Sequence, residues 1–157
     1  MQDTLPIHFA PLQGYTEAIY RNAHDAFFGG VDTYYTPFVR LEKGNFRRRD
    51  VRGIEPENNG VTHLIPQLIA SSAEKAEVIL SLFIEKGYQE VDINLGCPFP
   101  LLAKRHNGSG ILPYPEEVKA LLSIVTRYPQ ISFSVKMRLG WEQPDECLAL
   151  APILNDL

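Results

Sequence analysis

The chain has 157 residues, 45% of them hydrophobic, enough to bury the core of one ordinary domain. Its 15 basic and 19 acidic residues leave a net charge of −4, which excludes a protein that grips nucleic acid over its whole surface by charge. Any RNA contact is expected to be local. The two cysteines, Cys97 and Cys147, lack the paired spacing of a zinc site or a redox dithiol and suit a reducing compartment. The N-terminus carries no basic segment followed by an apolar one, and no stretch approaches the roughly 20 apolar residues of a membrane span. A cytoplasmic protein is expected.

In chain order, short apolar runs at 7–11, 33–37, 63–68, 91–95 and 133–139 read as strands, each followed by a segment of helical period. This βαβα rhythm predicts an α/β fold with a parallel sheet, five strand–helix units and no internal domain boundary. The clearest helices are 72–86, with Ala76, Ile79, Leu80, Phe83 and Ile84 on one face, and 115–127, with Val118, Leu121, Leu122 and Val125. Ser71, three residues before Glu74, is expected to cap the first, and Gly87 to end it. Pro115 followed by Glu116 and Glu117 suits a first turn. The segment 52–60 reads as a loop, and 145–157 begins another helix.

In a parallel β/α fold the working residues stand at the carboxyl ends of strands. After the first strand, Pro11, Leu12 and Gly14 form a turn that either ends the strand or brings backbone close to a flat ligand. Gln67 carries donors and acceptors that would read a heterocycle edge or bond neighbouring backbone. The strongest signal is the run 92–100, where an apolar strand delivers Asn94 and Cys97 into a turn fixed by two prolines. A thiol, with an ordinary pKa of about 8.5, is mostly protonated near neutrality and would serve as a general acid; a basic neighbour would make it a nucleophile instead. The loop 105–110 reads as either a lid or a plain surface loop. Period-two geometry places Lys136 and Arg138 on one face and Val135 and Met137 on the other. A lysine facing a barrel interior needs a carboxylate or a cofactor that becomes negative, such as a reduced flavin. Arg47, Arg48, Arg49 and Arg52 form the one basic cluster, read as a solvated loop before a phosphate site. Tyr34, Tyr35, Phe38 and Phe99 lie near strand ends and are read chiefly as packing.

Together APLQGYT (10–16), TPF (36–38), PQL (66–68), DINLGCPFP (92–100), NGSG (107–110) and VKMRLG (135–140) resemble, in order and spacing, the tRNA-dihydrouridine synthase family over essentially the whole chain. The resemblance implies an FMN-binding TIM-type (β/α) barrel, here truncated to about five strand–helix units. The C-terminal half of the barrel and the helical tRNA-binding domain would be absent. It implies an oxidoreductase that reduces a uridine flipped out of tRNA to 5,6-dihydrouridine, with NADPH reducing the flavin. By matching position, Pro11, Leu12, Gly14, Gln67, Asn94 and Lys136 would contact FMN, Arg138 would stand near the substrate, and Cys97 would protonate uracil C5. Leu12 stands where the family usually has methionine and Glu17 where it has aspartate. The open edges of a part-barrel predict self-association. The Asn94–Cys97–Pro98 turn also resembles that of FMN barrels acting on free pyrimidines, a second reading; a non-catalytic half-barrel is a third.

Overall fold

The computed structural model describes residues 5–157. Strands β1 (His8–Phe9), β2 (Thr33–Tyr35), β5 (Leu64–Ile65), β6 (Gln67–Leu68), β7 (Glu90–Leu95) and β8 (Ser132–Met137) are all parallel to their neighbours; β3 (Leu41–Glu42) and β4 (Asn45–Phe46) form an antiparallel hairpin. The helices are α1 (Ala18–Phe27), α2 (Arg48–Ile54), α3 (Ala73–Glu85), α4 (Pro100–Ala103), α5 (Pro115–Arg127) and α6 (Glu146–Asn155). Sheet orders are β1-β2-β5 and β6-β7-β8.

The run expected as one strand at 63–68 is divided by Pro66, which has no N–H to give a ladder. Its carbonyl still accepts from the Asp92 N–H at 3.0 Å, and the Val39 N–H donates to the Gln67 carbonyl at 2.8 Å. The 64–68 segment therefore belongs to both sheets, and strand neighbours follow chain order from β1 to β8 apart from the hairpin. Helical connections between parallel neighbours produce that order, the architecture the spacing predicts.

Along β7, Val91, Ile93 and Leu95 are fully buried and pack with Ala76, Ile79, Leu80 and Phe83 of α3 and Val118, Leu121 and Leu122 of α5. Phe133, Val135 and Met137 of β8 join the same core, while Ser132, Ser134 and Lys136 face the other way and are exposed. Each fully buried aliphatic side chain contributes about 1.5–3 kcal/mol. The sheet thus has an apolar side under the helices and a polar side carrying Gln67, Asp92, Asn94, Ser134 and Lys136.

Several expectations are corrected. Ser72, not Ser71, caps α3: its Oγ accepts from the Lys75 N–H at 3.4 Å, while the Ser71 Oγ meets Lys75 Nζ at 2.8 Å. The 52–60 segment is mostly regular, comprising the end of α2 and a 3₁₀ turn, Pro56–Asn58. The arginine cluster lies on a helix, not a loop: Arg48, Arg49 and Arg52 are exposed to solvent along α2 as expected, while Arg47 grips the buried Asp50 carboxylate through two 2.8 Å hydrogen bonds at the helix start. The buried Arg21 was not singled out by its sequence context. It donates to the Thr16 carbonyl at 2.6 Å and the Gly53 carbonyl at 2.9 Å, joining α1 to α2, and burial pushes its guanidinium down to about 10.

Candidate active site

Register brings the polar side chains together. Gln67 is paired with Asp92, Asp92 with Ser134, and Asn94 with Lys136, and residues in register on parallel strands share a face. Asp92 accepts from Gln67 Nε2 at 2.5 Å and from Ser134 Oγ at 2.7 Å. Asn94 Nδ2 donates to Gln67 Oε1 at 2.7 Å, and Asn94 Oδ1 accepts from the backbone N–H groups of Gly96 at 3.0 Å and Cys97 at 2.9 Å.

This chain of bonds has one direction. The carboxylate at one end accepts only and the two backbone N–H groups at the other donate only, so both amides are held in a single orientation. Gln67, Asp92 and Asn94 are all buried, and their remaining donors and lone pairs are what the site has to offer. Desolvation holds Asp92 above the usual carboxylate range, opposed by the Gln67 and Ser134 hydrogen bonds and the charge of Lys136.

A raised carboxylate pKa disfavours the folded state above that pKa, since the folded protein there loses a proton it holds more tightly than the unfolded chain. The Asp92 contribution to stability should therefore grow as pH falls through its folded pKa towards the ordinary value of 3.8, and Asp92→Asn should lack this rise. Urea unfolding of both proteins between about pH 3 and 7 measures it. Parallel curves, offset only by the altered hydrogen bonds, would refute the assignment.

Cys97 is half-buried, packed beside Phe38, Ile69 and Leu102. Its carbonyl accepts from both the N–H and the Oγ of Ser109 at 3.0 Å. Gly108, at φ +61°, lies so close that a Cβ there would stand 2.5 Å from the Cys97 oxygen. Gly108, Ser109 and Gly110 are buried in a 3₁₀ turn, Gly108–Ile111. Gly108, Ser109 and Gly110 are thus a packed wedge under the Cys97 turn, which corrects the lid or surface-loop reading of 105–110 for those three residues, while Arg105 stays exposed.

Lys136 is exposed on the polar face, opposite the helices, which leaves its ammonium open to an anionic group. Arg138 Nε donates to the Gly96 carbonyl at 2.7 Å, clamping the β7 turn from the β8 side. Leu12 accepts the Tyr15 and Thr16 N–H groups at 3.0 and 3.1 Å, forming a closed turn in which Gly14 takes φ +86° with open space where a Cβ would lie. Pro11 is partly buried at the entry to this turn. The amide atoms of Gln13 are buried without a hydrogen-bond partner among the described residues. Phe38, weighed for stacking, packs in the core against Cys97. Gln67, Asn94, Cys97, Lys136 and Arg138 therefore converge at the carboxyl ends of β6, β7 and β8. Asp92, Ser134 and the Gly108–Ser109 wedge had no assigned role in the sequence reading; polar residues at alternate positions of an otherwise apolar strand were the available signal for Asp92.

Parallel strands with a polar cluster and a cysteine at their carboxyl ends define an α/β protein of the kind that places ligands there. A family model for dihydrouridine synthase matches residues 8–157, and the chain belongs to that family. It is similar to the probable tRNA-dihydrouridine synthase 1 of Synechocystis, at 29% identity over 139 residues, covering 85% of this chain and 37% of that one. It is also similar to the tRNA-dihydrouridine(16) synthase of Haemophilus ducreyi, at 28% identity over 159 residues, 95% of this chain and 48% of the relative. The tRNA-dihydrouridine synthase B of Klebsiella pneumoniae is 30% identical over 91 residues, 57% of this chain and 28% of the relative. The chain spans less than half the length of these relatives. No helix among the described residues is long and apolar enough to cross a membrane.

Proposed function

We propose that this chain forms the first part of a flavin-dependent (β/α) barrel that reduces uridine in tRNA to 5,6-dihydrouridine. The observation that carries the reading is the one-directional chain from Asp92 through Gln67 and Asn94 to the Cys97 backbone, beside the exposed cation of Lys136.

The residues fit FMN. Gln67 keeps one N–H and one lone pair free for a heterocycle edge, Lys136 offers a positive charge, and the backbone of the turn of Pro11, Leu12 and Gly14 is open at Gly14, where no atom lies within 4 Å of a Cβ position. The unpartnered Gln13 amide needs a partner of the same kind. When bound, reduced flavin supplies the hydride for C6 of the pyrimidine, and NADPH is the proposed reductant of the flavin. Cys97 gives a proton to C5, so that no free enolate accumulates. Asn94 acts as a positioning residue by gripping the Cys97 and Gly96 N–H groups, and Arg138, held by the Gly96 carbonyl, is assigned to the substrate side of the site.

Titration of the 157-residue chain with FMN, followed by visible absorbance and flavin fluorescence, tests the cofactor assignment. Bound flavin is expected, weakened about tenfold or more by Lys136→Ala, as for a lost charge-assisted contact. A chain that leaves FMN free in solution, or binds it equally well after Lys136→Ala and Gln67→Ala, would remove these residues from the cofactor site.

A further inference from the structure

The chain is acidic overall, yet one groove has the opposite sign. A cavity of about 500 Å³ lies between the β3–β4 hairpin, the start of α3 and the end of α4, and Arg40, Lys43, Lys75 and Arg105 line it. Glu42 is the one acidic residue on its wall. Of these four cations only Arg40 has a carboxylate within ion-pair distance among the described residues, Glu42 at 3.6 Å, so the groove carries a surplus of cations inside a chain of net charge −4. The Arg40 Nε is also buried without a partner.

Lys43 makes the arrangement more specific. The hairpin turns on Lys43 and Gly44, at φ +51° and +80°. Such two-residue turns favour asparagine, aspartate or glycine at the first position, where a long side chain is disfavoured. A lysine at that tip breaks the local rule and places a charge at the groove mouth, the kind of conflict expected where a residue serves binding rather than folding.

The groove also adjoins the cysteine. Ile69 and Leu102 form part of its wall and pack against Phe38 and Cys97 on their other side. We propose that this groove holds backbone phosphates of the RNA strand next to the nucleotide presented to Cys97. This deepens the tRNA reading and rests on it. Lys43, Lys75 and Arg105 are exposed and come from three separate segments, the hairpin, the start of α3 and the turn after α4. Several exposed cations along one groove suit a polyanionic strand and fix its register without reading its bases.

The test uses the whole 157-residue chain, a fluorescent ten-nucleotide single-stranded RNA, and a salt series without flavin. A triple variant, Lys43→Asn, Lys75→Gln and Arg105→Gln, removes three charges from exposed positions; asparagine suits the turn, and circular dichroism verifies the fold. Binding is expected to weaken at least tenfold, and the slope of log affinity against log salt to fall by about 2, at roughly 0.7 per lost contact. RNA binding with the same slope in the triple variant overturns the groove while leaving the uridine chemistry standing; RNA binding with the expected loss but no FMN binding supports the groove and counts against the flavin site. No RNA binding by the parent chain, or NADP⁺ binding alone that the triple variant loses, overturns the RNA assignment.

Discussion

Gly108→Ala is expected to destabilise the chain by about 4 kcal/mol and to loosen the turn that carries Cys97. Two effects add. At φ +61° an alanine is strained, by about 1–3 kcal/mol for a non-glycine residue held in such a region. The new Cβ would also stand 2.5 Å from the Cys97 carbonyl oxygen and 2.9 Å from both its N and Cβ. Overpacking of this kind typically costs about 1–3 kcal/mol, and backbone atoms, unlike the end of a flexible side chain, can give way only by moving the turn. The turn is held by the two Ser109 hydrogen bonds to the Cys97 carbonyl and by the Asn94 amide, so displacement at Gly108 should spread to both. Urea unfolding gives the stability change, and the rate at which a chromogenic disulfide reagent modifies Cys97 reports the loosening. Stability within about 1 kcal/mol of the parent, with an unchanged thiol rate, would show that 107–110 is not the support described here.

For the reaction proposed above, Cys97→Ala is expected to retain flavin and its reduction by NADPH while lowering uridine reduction by about 10²–10⁴-fold, the usual contribution of a positioned general acid. The substitution removes the thiol and leaves the backbone N–H that Asn94 holds, so the geometry of the turn persists. Oxidation of pre-reduced flavin by tRNA in a single turnover isolates the step. Equal rates for both proteins would exclude Cys97 as the proton donor. A fall in flavin affinity of similar size would make it a packing residue beside Phe38, Ile69 and Leu102.

Much of the fold was legible because strand and helix periods are local. The alternation Val91, Ile93 and Leu95 against Asp92 and Asn94 records which side of β7 meets the helices, and Val135 and Met137 against Lys136 and Arg138 records it for β8. The helices at 72–86 and 115–127 lie within a residue of their expected bounds because a capping serine, a glycine stop and a proline start act over one turn. The division of 63–68 at Pro66 was visible in principle, since proline cannot join the middle of a ladder.

The sequence by itself determined the α/β order, the apolar and polar sides of each strand, and the placement of Cys97 in a constrained turn after a strand. Only the tertiary structure decided which polar residues act together. Gln67 and Asp92 are 25 positions apart, and Ser109 lies 12 beyond Cys97, so their bonds depend on strand register and loop packing rather than local pattern. The same holds for Gly108, whose glycine is required by the Cys97 backbone pressed against it, and for the cations of the groove, gathered from a hairpin, a helix start and a helix end. Periodicity records which face a side chain takes; what that face meets is fixed by long-range packing, which no local window contains.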